Sequence, residues 1–185
     1  TGNSTGAGGI VKTGPGTVVI GSGASDTNAI GWTGQTVVSA GTLTIDKAAG
    51  TAGTSNSVLV NGGTLNVLRS NLLPADTVLT ITSGDINWNN ADFSLASVTM
   101  SGGFFRTSAG AGGGGIYTVS GDVTVTGGNF GLNSGGQVSA NAFNLGSGTA
   151  VSLGGNVTLR ETLLVVGPGG LNLTGQTISG LGRAP

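Results

Sequence analysis

The stretch "VVSAGTLTID" (37–46) and its echo "LVNGGTLNVL" (59–68) decide how this chain folds. Each carries a short apolar run, a small-residue turn ending in glycine, and then an alternation of polar and apolar residues. Alternation at period two marks a strand with one face buried and one face wet. The two copies lie 22 residues apart. That distance suits a strand that returns to lie beside itself after one circuit of chain.

The pattern extends in both directions. A glycine followed by an alternating strand is placed at Gly16, Gly41, Gly63, Gly84, Gly103, Gly128, Gly148 and Gly170, with successive spacings of 25, 22, 21, 19, 25, 20 and 22. "GTVVI", "GTLTI", "GTLNV" and "GDINW" are the closest copies, and "GFFRT" and "GNFGL" are looser ones. A repeat of about twenty residues built from short strands indicates a solenoid. The expected fold is all-β: a right-handed parallel β-helix of about eight rungs, with a mean period near 22 residues and rungs stacked roughly 4.8 Å apart. Leu43, Ile45, Leu65, Val67, Val123 and Val125 are assigned to the core, and Thr42, Thr44, Thr64 and Asn66 to the outer surface. An antiparallel sandwich is the competing fold, because "SAGTLTI" and "NGGTLNV" also read as hairpins.

Composition agrees with a packed β-structure. The chain has 39 Gly but 37% hydrophobic residues, which recur in runs, unlike a flexible linker. There is no Cys and no His, so disulfides, thiolate metal sites and imidazole chemistry are excluded. Only six basic residues occur, at Lys12, Lys47, Arg69, Arg106, Arg160 and Arg183, and they are scattered. Their dispersal argues against nucleic-acid binding. No apolar run is long enough for a membrane span. Residues 1–185 are expected to form one solenoid domain, with 1–9 as a flexible or edge-pairing N-terminal segment and 181–185 as a C-terminal tail. The first residue is not Met, which suggests that a secretory signal has been removed.

The arms "GGIVKTGPGTVVI" and "WTGQTVVSAGTLTI" together resemble the autotransporter-associated β-strand repeat. Gly9, Lys12, Gly14, Gly16 and Thr17 match the first arm of that repeat, and Gly34, Thr36, Val38, Gly41, Thr42 and Leu43 match the second. The likeness covers roughly residues 8–68 and fades beyond them. It implies a secreted or cell-surface bacterial β-helix and no particular activity.

Several stretches invite a site and are weighed against plainer readings. "KTGPGT" (12–17) is not a phosphate loop, since Val11 rather than Gly precedes Lys12 and a strand follows. It reads as a corner, with Lys12 expected outward as a surface charge. The acids Asp26, Asp46, Asp76, Asp85, Asp92, Asp122 and Glu161 are well separated along the chain. Asp85 and Asp122 each follow a glycine at a strand start, and the expectation is that they accept backbone N–H bonds in turns. A paired catalytic or calcium role is the minor reading. "GAGGGG" (110–115) matches a dinucleotide pattern literally but precedes a strand, so it reads as a loop. Trp88 in "INWNN" is the best local candidate for stacking on a sugar, against a likelier place in the core. Thr42/Thr44, Thr80/Thr82 and Thr124/Thr126 suggest an ice-binding face, but one that skips rungs. The sequons at Asn3, Asn156 and Asn172 carry little weight where Thr is so common.

No catalytic residue, cofactor or metal ligand is assigned. The function expected is that of a non-enzymatic, extracellular or cell-surface bacterial structural protein. The N-terminal "TGNSTGAGG" is too polar and glycine-rich to cap a core, and "LNLTGQTISGLGRAP" runs in strand pattern almost to its end, so head-to-tail self-association into a filament is expected. An adhesive passenger module with cell-surface or glycan partners is the alternative, and a polysaccharide-active enzyme is less favoured.

Overall fold

The computed structural model describes residues 4–107, 115–132, 137–146, 149–153, 156–165, 170–172 and 178–180. These residues form strands, turns and bends, with no helix. They wind into a parallel β-solenoid of about six turns with a period near 22 residues. Every strand pairing is parallel, which rules out the hairpins of the sandwich alternative.

The solenoid has three faces. Face A stacks Ile10–Lys12, Thr36–Val38, residues 57–60, residues 78–81, Ser97–Met100 and Val123–Val125. Face B stacks Thr17–Ile20, Thr42–Ile45, residues 64–67, residues 85–87, Phe104–Arg106 and Asn129–Leu132, and continues to Ala150–Leu153. Ser57–Val67 and Val78–Asn87 are long strands that turn the corner between the two faces. The glycine copies therefore do stack: Thr17 lies beside Thr42, Thr42 beside Thr64, Thr64 beside Asp85, and Asp85 beside Phe104. Even the looser copies "GFFRT" and "GNFGL" keep register, because Phe104 pairs with Asn129. The later placement at Gly170 is one residue out, since Gly170 pairs with the strand residue Ala150. Gly148 lies outside the described residues.

The glycines are required at the A–B corner by close approach. A Cβ on Gly84 would sit 2.2 Å from the Gly63 carbonyl oxygen, and Gly84 has φ +81. A Cβ on Gly103 would sit 2.2 Å from the Gly84 oxygen. From the second turn on, Gly41, Gly63, Gly84, Gly103 and Gly128 leave room for a carbonyl of the preceding turn, and a side chain there would push the turns apart.

Inside, the expected core residues Leu43, Ile45, Leu65, Val67, Val123 and Val125 are all fully buried. Register brings like onto like. Leu43 stacks beside Leu65, Leu65 beside Ile86, Ile86 beside Phe105, and Phe105 beside Phe130. Aromatics then fill the core of the middle turns. The rings of Phe105 and Phe130 are stacked with centroids 4.4 Å apart, and those of Phe93 and Tyr117 with centroids 4.8 Å apart. Burying a large apolar side chain contributes about 1.5–3 kcal/mol. No single turn can close such a core, so stability resides in the contacts between turns.

Face C is the irregular one. Ser4–Gly6 pairs with Ile30–Trp32, and Phe93–Leu95 pairs with Ile116–Val119. Between these two ladders the chain at 52–55 and 72–77 is irregular rather than strand. Pro74 lies there; it has no N–H to donate to a ladder. Leu72 and Leu73 still enter the core.

Candidate functional site: polar staircases and an open groove

Carboxylates come first, because catalysis or calcium binding would require them to gather. They do not gather. Among the described residues no group of three Asp or Glu side chains is placed to hold a metal ion. Each described acid instead bonds to a residue about one turn away in sequence. Asp26 takes a hydrogen bond from Lys47 at 3.1 Å, and Asp46 takes one from Arg69. Asp76 accepts from the Asn56 amide at 3.2 Å, and Asp92 accepts from the Ile116 backbone N–H at 2.7 Å. Asp85 is 3.7 Å from Arg106, whose guanidinium also covers the Phe104 ring. Asp122 accepts from the amide of Asn141 at 3.2 Å.

Asp85 and Asp122, alike in sequence, open strands on different faces. Asp85 starts a face B strand beside Thr64 and Phe104, whereas Asp122 immediately precedes the face A strand Val123–Val125. Their side chains meet Arg106 and Asn141 rather than the backbone N–H groups expected of turn aspartates. The inter-turn partner is the reason: a side chain pointing out of one rung lies nearest to the rung above or below. The side chain of Glu161 lies outside the described residues.

The corner between faces B and C concentrates these links. Asp26 joins Lys47, Asp46 joins Arg69, the Ser70 hydroxyl accepts from Asp92 N–H at 3.0 Å, and Asp92 joins Ile116. The Lys47–Asp26 pair is largely buried, and Lys47 also donates to the Asn28 carbonyl at 2.6 Å. The Asn28 backbone N–H and then Lys47 hold the Asp26 carboxyl below its ordinary range.

Lys12 is not a surface charge. It is 6% exposed and stands inward on face A, in register with Val38. Its Nζ donates to the Gly14 carbonyl and, at 3.0 Å, to the Ala40 carbonyl. The outward neighbour is Val11, 61% exposed. Alternation along Ile10–Lys12 places the lysine inside, where it satisfies carbonyls of two successive corners.

Trp88 also sits inside. It is fully buried, with its ring 4.3 Å from Phe93 and 6.0 Å from Phe105, and it presents nothing to a sugar. Its Nε1 has no hydrogen-bond partner. On face B the threonine motif skips rungs as expected, because Thr44 pairs with Asn66 and Asn66 with Asn87; face A carries a threonine column that the pairs alone do not show. Thr80 pairs with Thr99, and Thr99 pairs with Thr124, all on face A, while Thr42/Thr44 belongs to face B. Thr99 in "SVTM" was the missing member. The hydroxyls of Thr124 and Thr126 are engaged, with Asn144 at 3.4 Å and the Met100 carbonyl at 3.4 Å, respectively. Most of "GAGGGG" lies outside the described residues, as do Asn3, Arg183 and the tail at 181–185.

The feature that sequence reading missed is a groove on face C, where the strand ladder lapses. It is open to solvent, has a volume of about 410 Å³, and is lined by Trp32, Thr33, Thr54, Asn56, Pro74 and Asp76 among others. Pro74 also lines a second depression of about 300 Å³ that includes Asn71 and Ser94. Trp32 is half-buried on one wall. Its Nε1 donates at 3.3 Å to Thr36 Oγ1, and buried Thr36 is in turn 3.1 Å from Ser55 Oγ. The indole is thus held in one orientation by a buried hydroxyl pair. Two signals for this site exist in the sequence: a tryptophan four residues before a buried threonine, and Pro74 interrupting the repeat.

No family model, curated protein or solved structure matches the chain.

Proposed function

We propose that this chain is a non-enzymatic, extracellular bacterial structural protein whose turns stack end to end with those of another copy. The observation that carries the reading is the first turn. Among the described residues, Ile10–Lys12 and Thr17–Ile20 each have a strand partner on one side only. Val18, in register with buried Leu43, is 41% exposed, and Val19 is 55% exposed. A parallel strand edge with an apolar column behind it is a template for one more turn. Adding the same unit at the same edge generates an open filament.

On this reading the solenoid is right-handed, as parallel crossovers almost always are, and has eight rungs. The continued pairing of Ala150 with Gly170 supports the rung count. The resemblance to the autotransporter-associated repeat supports the cell-surface setting. Carboxylates tied one by one to neighbouring turns support a structural rather than catalytic role.

Electron microscopy and light scattering across a concentration series test the proposal. Elongated particles that grow with concentration, and that are suppressed by Val18→Asp, are the expected result. A monodisperse monomer at all concentrations overturns it. That result favours the alternative, in which further turns of a longer adhesive chain cover the same edge.

A further inference from the structure

We infer that the face C groove around Trp32 binds a neutral saccharide chain. Four observations converge on this ligand. First, the groove offers an aromatic ring whose polar edge is already occupied by Thr36, so that the ring has apolar surface to present. Sugar rings bring apolar C–H faces of matching size, and a fixed ring loses little freedom on binding them. Second, polar groups flank the ring. Thr33, Asn56 and Asp76 are exposed, and one carboxylate oxygen of Asp76 bonds Asn56 while the other has no partner among the described residues. A carboxylate and amide side by side are suited to accept from and donate to adjacent hydroxyls.

Third, the charge selects. The lining holds one carboxylate and no Lys or Arg, so phosphate, sulfate and uronate groups are disfavoured. Fourth, the shape selects for a chain. The groove is open, its volume lies within the usual range for small-ligand sites, and Pro74 also lines a second depression in which Asn71 and Ser94 are the polar side chains. A single sugar would fill one depression, and a short oligosaccharide would extend past Pro74 into the other.

The site does not depend on end-to-end assembly, and its test is independent. The probes are hexasaccharides of β-linked glucose, α-linked glucose and mannose, with hexagalacturonate as the anionic comparison. The protein has two Trp, and Trp88 is buried in the core, so a Trp88→Phe variant reports Trp32 fluorescence alone. The expected result is a saturable emission change with at least one neutral hexasaccharide, and weaker or no change with free hexose or hexagalacturonate. By calorimetry, Trp32→Phe keeps most of the affinity and Trp32→Leu loses about tenfold or more. Asp76→Asn narrows the gap between neutral and anionic chains. No binding of any neutral hexasaccharide at millimolar concentration overturns the assignment. Equal binding of neutral and anionic chains, or unchanged affinity in a folded Trp32→Leu variant, overturns it as well.

Discussion

Phe105 and Phe130 lie in register on adjacent turns, with their rings stacked at 4.4 Å and inclined by 19°. The pair sits midway along the solenoid, where each ring has Phe or Trp neighbours on further turns. Phe105→Ala removes one member and leaves a cavity that the rungs on either side cannot close without breaking strand pairs. The expected loss is about 3–5 kcal/mol, measured by denaturant unfolding. Because stability in a solenoid is carried by neighbouring interfaces, unfolding of this variant should also lose cooperativity, splitting at the affected turn.

The corner glycines give a paired test. Gly84 has φ +81 and would place a Cβ 2.2 Å from Gly63 O, whereas a Cβ on Gly14 would meet nothing within 4 Å. Gly84→Ala should destabilise by more than about 1 kcal/mol, and Gly14→Ala should change little. Thermal melts of the two variants, compared with the parent, separate close approach from mere glycine content.

Lys12 tests the value of a buried donor. Lys12→Met keeps the length of the side chain but deprives the Gly14 and Ala40 carbonyls of their bond. An expected cost of about 1–3 kcal/mol follows from losing the charge-assisted bonds of the buried Lys12 ammonium. A surface lysine would give no measurable change.

Acid should loosen the B–C corner. Asp26 is held below its ordinary value of 3.8 in the folded chain, by the Asn28 N–H and then Lys47. The unfolded chain therefore binds the proton more readily, so this contribution is complete above the ordinary carboxylate range and is lost as pH falls through the lowered folded value. Denaturation midpoints measured from neutral pH down to about 2 should fall more steeply for the parent than for Asp26→Asn. Salt should change them little where the pair is buried.

Trp88 carries an indole N–H with no partner. Trp88→Phe removes that unmet donor while opening a small void, and the two effects oppose one another. A net change within about 1.5 kcal/mol is expected, which also makes the variant a sound background for fluorescence.

Much of the fold was legible in the alternation and spacing around Gly41 and Gly63. The inward assignment of Leu43, Ile45, Leu65, Val67, Val123 and Val125 needed only the period of two. Lys12 was misjudged, although the same alternation places it inside, because a charged residue next to a Pro-Gly turn suggests solvent. The core placement favoured for Trp88 holds, although the asparagines around it look wet in sequence. Trp32 went unnoticed because its groove exists only where Pro74 and the irregular chain at 52–55 break face C. The column Thr80–Thr99–Thr124 is not legible from the Thr-x-Thr pairs, because the faces cannot be told apart until the corners are placed.

By itself the sequence determined the period, the two-sidedness of the strands and the small corners. These are local properties, set by which side chains can alternate and where glycine is needed. Tertiary structure decided which residues become neighbours across turns: Phe105 with Phe130, Asp46 with Arg69, and Thr99 between Thr80 and Thr124. Those partners lie some twenty residues apart in the chain, yet parallel pairing stacks them at roughly 4.8 Å. Shifting one loop by a residue would change every such partnership on that face while leaving the local alternation intact.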